Sequence, residues 1–303
     1  MLYKNIELEE ATCECTDVHL CRVLLTALSE RVALQEATYL SGFSVITAAP
    51  LQACVEGRVA PTETPDGRPG VLIQFNAPTE IGMEAFRKAL LDRLYILPHL
   101  PTCSLFDATP AGRSGETVEV GKHLRRWGDG FEVETTLGKR EVIRLPIMTG
   151  DMMIERRCHV ITGMDGVIEV FAQNAASCLI AAQEASDRIF HDTRGVALFN
   201  YPLGGISGAK VGGINYREEG VTINEPYCPT LRREVSETKI PDKAEAVIEY
   251  PLIGLGIEEI KAGLRMAIDA FAATPGVMRI TAPSFGGEWG KHQLYLPDVV
   301  SEQ

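Results

Sequence analysis

A glycine-rich segment with one lysine is the part of the sequence best suited to hold a polar ligand. Residues 201–213 read Tyr-Pro-Leu-Gly-Gly-Ile-Ser-Gly-Ala-Lys-Val-Gly-Gly, directly after an apolar run. Glycine lets the backbone adopt positive φ and approach a ligand closely, and a lysine can bind a carboxylate or a phosphate. Lys210 lacks the flanking residues of a P-loop. We expect a small polar ligand to bind at Gly204, Gly205, Ser207 and Lys210; the alternative is a long flexible connection.

A glutamate inside an apolar strand is the candidate acid or base. Glu249 stands in Val247-Ile248-Glu249-Tyr250, the third strand of the second half of the chain. Desolvation there disfavours the charged carboxylate, so we expect a raised pKa. A carboxylic acid that stays neutral near pH 7 can donate a hydrogen bond to an oxyanion or relay a proton. The alternative is an interface glutamate, and Gln74 at the matching place of the first half keeps that alternative open.

Covalent and metal chemistry have less support in the sequence. Ser207 does not stand in a nucleophile-elbow motif, and no triad is recognisable. Cys228 reads more readily as a small buried thiol than as a nucleophile. The spacing of Cys13, Cys15 and Cys21 is not that of paired zinc ligands. We therefore expect no metal site.

Composition excludes several classes of function. The chain has 303 residues, of which 45% are hydrophobic, and a formal net charge of −12, which argues against a nucleic-acid-binding groove. The eight cysteines do not form a disulfide framework. The N-terminus has no apolar signal core and no stretch of eighteen apolar residues occurs, so we expect a cytoplasmic protein without membrane contact.

The elements that must position these residues repeat once along the chain. Hydrophobic periodicity predicts the order strand, helix, strand, strand, helix, strand in both halves. This order is typical of the ferredoxin-like fold, so we expect an α+β protein of two such lobes. We place the N-terminal lobe at 1–146, with extra strands over 119–146, and the C-terminal lobe at 147–303. The predicted elements are 3–9, 17–42, 43–50, 71–75, 79–97 and 103–106, then 167–172, 176–190, 196–202, 246–250, 257–271 and 277–281.

A series of short motifs along nearly the whole chain carries a family resemblance. Their order and spacing are more specific than any one of them. The motifs lie at 22–27, 64–70, 128–132, 145–150, 174–177, 204–212, 228–231, 240–242 and 286–291. With them the chain resembles the formylmethanofuran–tetrahydromethanopterin formyltransferases of methanogenic archaea and C1-metabolising bacteria, as a divergent, bacterial-type member.

The resemblance implies a reaction and a set of partners. A formyl group would pass from the amine of methanofuran to N5 of tetrahydromethanopterin, or of its dephosphorylated form, by direct attack in a ternary complex. Both carriers would be substrates, and no cofactor would be bound permanently. It implies a homo-oligomer, a dimer or tetramer, and in bacterial relatives a complex with hydrolase subunits. Glu249 aligns with a glutamate proposed to act on the oxyanion, and Glu14 and Thr230 would contact substrate.

The chain also departs from the family pattern. Where the family has an Asp-Thr-Phe-Ala-Glu-Ala-Phe-like stretch, residues 10–16 read Glu-Ala-Thr-Cys-Glu-Cys-Thr, so Glu14 is kept and both aromatic residues are lost. A somewhat different ligand, or an inactive subunit, would follow from this change. The alternatives to an enzyme are therefore a non-catalytic scaffold subunit of a formyltransferase/hydrolase complex, or a ferredoxin-like binding module for an unrelated metabolite.

Overall fold

The chain folds into a mixed α/β structure with two compact units. The computed structural model describes residues 1–42, 50–113, 115–206, 225–283 and 290–301. The central unit is Asp17–Gly163, and the terminal unit joins Met1–Thr16 to Met164–Gln303. The lobe boundary at residues 146/147 stays a prediction. Within the described ranges, no helix is long and apolar enough to cross a membrane.

The terminal unit begins with three short strands. They are β1 (Leu2–Tyr3), β2 (Ile6–Leu8) and β3 (Thr12–Cys15). The first two form an antiparallel hairpin. Residues 3–9 were expected to be one strand, but Lys4 has a φ of 51°, and this left-handed conformation turns the chain after Tyr3.

The central unit is built on one sheet, whose strand order is β5–β6–β4–β7–β11–β10–β9. The first four of these strands pair antiparallel, and β11 pairs parallel to β7. The elements are β4 (Asp17–Thr26), α1 (Glu30–Ser41), β5 (Gln52–Val59), β6 (Gly70–Pro78), α2 (Met83–Leu94), β7 (Ser104–Asp107), β8 (Glu116–Val118), α3 (Val120–Leu124), β9 (Val133–Leu137), β10 (Arg140–Ile147) and β11 (Gly150–Glu155).

The first predicted helix is wrong in its first half. Residues 17–26 form β4, and α1 begins at Glu30, after the hydroxyl of Ser29 accepts a hydrogen bond from the backbone N–H of Val32. Most of β4 is buried, and a strand buried on both faces reads as a continuous apolar run that periodicity cannot distinguish from a helix. The strand predicted at 43–50 lies almost wholly outside the described residues.

The terminal unit continues with the predicted order of elements of the second half. Its main sheet has the order β1–β2–β15–β12–β14–β13; β15 and β2 pair parallel, and the other pairs are antiparallel. A separate two-stranded sheet joins β16 to β3. The elements are β12 (Cys158–Ala172), α4 (Ala175–Asp192), β13 (Val196–Leu198), β14 (Ala246–Gly254), α5 (Ile257–Ala273), β15 (Val277–Thr281), β16 (His292–Tyr295) and α6 (Leu296–Ser301).

Both long helices of the terminal unit pack on one face of its main sheet. The ring of Tyr250 on β14 lies 5.0 Å from the ring of Phe271 on α5. The predicted cap of α4 is present, because Asn174 accepts a hydrogen bond of 2.9 Å from the backbone N–H of Ser177. Side chains alternate between the faces of a strand. Tyr250 faces the helices, so its neighbour Glu249 faces the opposite side of the sheet.

Candidate functional site

Two glutamates face each other on the side of the terminal sheet away from the helices. Glu169 on β12 is the register partner of Glu249 on β14, and its partner on the other side is Thr281 on β15. Directly opposed residues of antiparallel strands point to the same face, with Cβ atoms about 4.5–5.5 Å apart. The carboxyl group of Glu169 is therefore held between Glu249 and Thr281.

The environment of Glu169 disfavours its charged form. Only 1% of the residue is exposed, and none of the described residues donates a hydrogen bond to its Oε2. The pKa of Glu169 is raised to about 8: burial contributes most, the negative charges of Glu249 and Glu9 also raise it, and Lys239 lowers it. Glu249 is half-buried. The pair thus combines one solvent-reachable carboxyl group with one that favours the protonated state.

A cavity of about 550 Å³ lies on the same face of this sheet. Thr281, the register partner of Glu169, is part of its wall. Acidic, basic and aromatic side chains all contribute to the lining: Glu9, Glu10, Ala11, Thr12, Phe171, Tyr227, Lys239, Arg279, Thr281 and Ala282. Four of these ten residues are charged and two are aromatic, so the cavity suits a polar ligand that also carries a flat ring.

An aromatic and cationic group forms one side of the cavity. Lys239 Nζ donates a hydrogen bond of 3.0 Å to the hydroxyl of Tyr227 and lies 5.0 Å from the centre of its ring. The rings of Tyr227 and Phe171 are 6.2 Å apart. Hydrogen bonding to Tyr227 raises the pKa of Lys239, and burial raises that of Tyr227. Lys239 is therefore a firmly charged group beside two ring faces.

The arginine of the cavity is held by two acids. Arg279 contacts Glu7 at 2.8 Å and Glu9 at 3.0 Å. Its side chain is 23% exposed, so part of it stays open to the cavity. An arginine that is already oriented in this way loses less conformational freedom when it binds a ligand.

The glycine-rich segment begins beside Glu249. Ile206 and Glu249 exchange two backbone hydrogen bonds of 2.9 Å. Gly204 has a φ of +73°, and a Cβ there would lie 2.0 Å from Ser186 Oγ on α4. Gly205 is also buried, and its Cβ would lie 3.0 Å from Ile248. The structure thus gives both glycines a packing role. Ser207 and Lys210 lie outside the described residues.

Glu14 and Thr230 lie apart from the described lining of the cavity. Glu14 is 7% exposed on β3, opposite Gln293 of β16. Thr230 is exposed, and its hydroxyl is 3.1 Å from the sulfur of Cys228. Of the divergent segment 10–16, it is residues 10–12 that reach the cavity. That Glu14 and Thr230 contact substrate remains a prediction.

In the central unit, Gln74 occupies the strand position that matches Glu249, and it lies beside an ion pair between Arg22 and Glu56. Gln74 on β6 is buried and donates a hydrogen bond of 2.9 Å to Glu56. Arg22, its register partner on β4, binds both carboxylate oxygens of Glu56 at 2.7 and 2.5 Å. This bidentate pair satisfies a buried charge. The Gln74 position is therefore structural, in contrast to that of Glu249.

Sequence reasoning missed Glu169 and the two cations. Glu169 is flanked by apolar residues in Val167-Ile168-Glu169-Val170, and the signal that identified Glu249 is present there too. Lys239 and Arg279 carry no such signal, because only the fold brings their separate segments together. No three metal-ligating side chains of the described segments lie close enough to hold an ion. The expected absence of a metal stays a prediction.

Comparisons with known proteins cover nearly the whole chain and agree on one family. Residues 1–147 match the family model of formylmethanofuran-tetrahydromethanopterin formyltransferase, and residues 150–299 match the model of its proximal lobe. The enzyme of that name from Methanosarcina barkeri is 34% identical over 304 residues, covering 99% of this chain and 100% of the relative. The one from Methanopyrus kandleri is 35% identical over 308 residues, with the same coverage.

Two solved structures are also similar. The formylmethanofuran:tetrahydromethanopterin formyltransferase of Methanosarcina barkeri has a TM-score of 0.90 at 33% identity, covering 99% of this chain and 100% of that one. A formyltransferase/hydrolase complex from Methylorubrum extorquens, solved with methylofuran, contains a chain with a TM-score of 0.86 at 26% identity, covering 100% of this chain and 99% of that one. The present chain belongs to the formylmethanofuran–tetrahydromethanopterin formyltransferase family.

Proposed function

We propose that this protein transfers a formyl group from formylmethanofuran to N5 of tetrahydromethanopterin, or of its dephosphorylated form. The observation that carries the proposal is the similarity over 99% of the chain to relatives that bear this name. Glu249 is half-buried and lies on the same face of the sheet as a cavity of mixed polarity, two strands from Thr281 of the cavity wall. The alternative of a non-catalytic scaffold subunit is not favoured.

Direct attack in a ternary complex accounts for the residues at the site. The acceptor nitrogen adds to the formyl carbon, an oxyanion forms, and a proton moves from the attacking to the leaving nitrogen. Donor and product are both formamides, so the free-energy change is modest, and catalysis needs orientation and electrostatic stabilisation above all. In this proposal the carboxyl group of Glu249 donates a hydrogen bond to the oxyanion.

The substrates would be held by the cavity and the glycine-rich segment. Tyr227 and Phe171 offer ring faces to a flat heterocycle, and Lys239 offers its charge to an acidic tail. Lys210 would grip a further acidic group. The remaining proposed contacts come from the sequence: Gly204, Gly205, Ser207, Glu14 and Thr230.

The proposal extends to fold and assembly. Each unit contains four strands in the order 4-1-3-2 with two helices between them, which supports two ferredoxin-like lobes. The two family models adjoin at residues 147–150, which supports lobes at 1–146 and 147–303. We propose a cytoplasmic homo-oligomer, without a permanently bound cofactor, that can join hydrolase subunits as the Methylorubrum relative does.

An assay with purified protein tests the function. Formylmethanofuran and tetrahydromethanopterin are mixed with the protein, and the absorbance of the formyl-pterin is followed. We expect turnover, and for Lys210→Ala a Michaelis constant raised about tenfold for one substrate, since a charge-assisted hydrogen bond contributes roughly 1.5–3 kcal/mol. Folded protein that gives no turnover with either pterin would support the scaffold instead. Unchanged Michaelis constants would exclude the role of Lys210.

A further inference from the structure

Glu169 has a position that its packing alone does not explain. It is almost fully buried, at 1% exposure, yet it carries a carboxyl group in the middle of a sheet. No described residue donates to its Oε2. Its cross-strand partner, Glu249, is a second acid on the same face. A buried carboxylate with one oxygen that no described residue binds, beside a like charge, is strongly unfavourable unless it is protonated.

The charged groups around Glu169 do not compensate it. Glu249 approaches from β14 and Glu9 from the segment after β2, and both repel a negative charge. Lys239 attracts it, but its ammonium group donates to the hydroxyl of Tyr227. Arg279 on β15 is engaged with Glu7 and Glu9. Two facing carboxyl groups in such a place lose their protons in two separated steps that belong to the pair.

We propose that Glu169 and Glu249 carry one proton between them at neutral pH, and that Glu169 is the positioning residue that keeps this proton available to Glu249. Glu249 remains the group that touches the reacting atoms. The inference deepens the proposed function and rests on it for the reaction, whereas the shared proton itself can be measured without substrate.

The reaction balances with this pair. The acceptor nitrogen forms a bond to the formyl carbon and gives its proton to the pair. The bond between the formyl carbon and the donor nitrogen then breaks, and that nitrogen takes a proton from the pair. The glutamates end with one proton, as they began, and no oxidant or reductant is needed. A pair that can both give and accept serves both halves of the transfer.

The test in turnover compares Glu169→Gln, Glu169→Asp and Glu184→Gln over pH 5.5–9.5. Glu184 is an exposed glutamate on α4 and serves as the matched control. In the wild type, kcat should fall as the pH rises through about 8, where burial places the pKa of Glu169, because the pair then loses its last proton. Glu169→Gln removes the negative charge of Glu169 from beside Glu249, so Glu249 loses its proton at lower pH.

We therefore expect the alkaline limb of Glu169→Gln to move down by at least one pH unit. Its kcat at pH 7.5 should fall at least about threefold, the loss that a limb shifted by one pH unit gives at that pH, and its Michaelis constants should change less than twofold. Glu169→Asp keeps a carboxyl group and should retain a limb above that of Glu169→Gln. Glu184→Gln should follow the wild type. Superimposable profiles of Glu169→Gln and the wild type would overturn the proposal.

An infrared titration of the folded protein is independent of activity. The carbonyl band of a protonated, buried carboxyl group should be present at pH 7 and disappear as the pH rises through about 8; in Glu169→Gln the band should disappear at least one pH unit lower. A wild type without this band at pH 7 would refute the shared proton, whatever the turnover. If the band is present but the enzyme assay fails, the shared proton is supported and formyl transfer is not. The wild-type titration decides even if Glu169→Gln does not fold.

Discussion

Glu249 stands where a hydrogen-bond donor would be most effective. It is half-buried, its backbone is held on both sides by β12 and by Ile206, and its side chain points away from the helices. A fixed donor in a site that excludes most water stabilises a developing charge more strongly than the same donor in solution. The strand thus orients the carboxyl group of Glu249, and the neighbouring Glu169 affects whether Glu249 is protonated.

Replacing Glu249 tests hydrogen bonding against proton relay. Glu249→Ala should lower turnover by about 10²–10³, the usual effect of losing one oxyanion donor. Glu249→Gln keeps a donor of similar shape but cannot relay a proton. Substantial recovery in Gln would indicate hydrogen bonding, and equal loss in both would indicate relay. Single-turnover kinetics isolates the chemical step. Near wild-type rates in Glu249→Ala would remove this residue from the mechanism.

Gly204 determines the backbone path of the glycine-rich segment after β13. Its φ of +73° and the place of its missing Cβ, 2.0 Å from Ser186 Oγ, both favour glycine. Ser186 is itself engaged, with hydrogen bonds of 2.9 Å to the hydroxyl of Tyr250 and 3.2 Å to the carbonyl of Leu203. The glycine-rich segment therefore begins where Gly204 packs tightly against Ser186 of α4.

Gly204→Ala should destabilise the fold more than a glycine replacement with the same backbone strain. Gly138 is the matched control, since it has a φ of +60° and nothing within 4 Å of its would-be Cβ. Left-handed φ costs a non-glycine residue about 1–2 kcal/mol at either site, and overpacking adds about 1–3 kcal/mol at Gly204 alone. Urea unfolding measures the difference. Equal losses for the two variants would show that Ser186 and Tyr250 relax around the methyl group.

The sequence predicted some elements well and others poorly, for a physical reason. Asn174 and Gly195 mark the limits of α4 closely, because a cap and a left-handed glycine act locally. The strand β4 was mistaken for a helix, since its apolar run is buried on both faces. Helix caps and left-handed glycines can be predicted from the local sequence, whereas the choice between a buried strand and a buried helix depends on tertiary neighbours.

The stability of the whole molecule should reflect the buried acid. The pKa of Glu169 is about 8 in the folded chain and about 4.3 in an unfolded one. Between these values the folded state binds a proton that the unfolded state releases, so the free energy of unfolding falls as the pH rises. The slope is at most about 1.4 kcal/mol per pH unit for one proton, and it ends above about pH 8.

Comparison with Glu169→Gln isolates the contribution of the Glu169–Glu249 pair, because the remaining titrating groups are common to both proteins. The difference in unfolding free energy, wild type minus variant, should decrease from the pH at which Glu249 of the variant loses its proton up to about pH 8. Denaturant titrations at several pH values measure it. A difference that is constant over this range would mean that Glu169 titrates alike in the folded and unfolded states.

The composition of the whole molecule does not reveal the cavity. A net charge of −12 gives no hint that two cations, Lys239 and Arg279, line the cavity. The lining comes from residues 9–12, 171, 227, 239 and 279–282, segments that are far apart in the chain. The apolar strand around it identified Glu249, which lies on the same face of the sheet, but no sequence signal identified Lys239 or Arg279 of the lining. Those depend on strand register, which no single segment encodes.

Side chains along β12, β14 and β15 alternate between the cavity side and the helix side of the sheet, so each strand carries both cavity-facing and core residues. Odd-numbered residues such as Glu169, Glu249 and Thr281 face the cavity side, while even-numbered neighbours such as Val170 and Tyr250 are buried towards the helices. Substitutions at the odd positions can alter which substrate fits while the core stays intact. A one-residue insertion would exchange the two sets at once. Specificity in this sheet can thus evolve by point substitution far more readily than by changes in strand length.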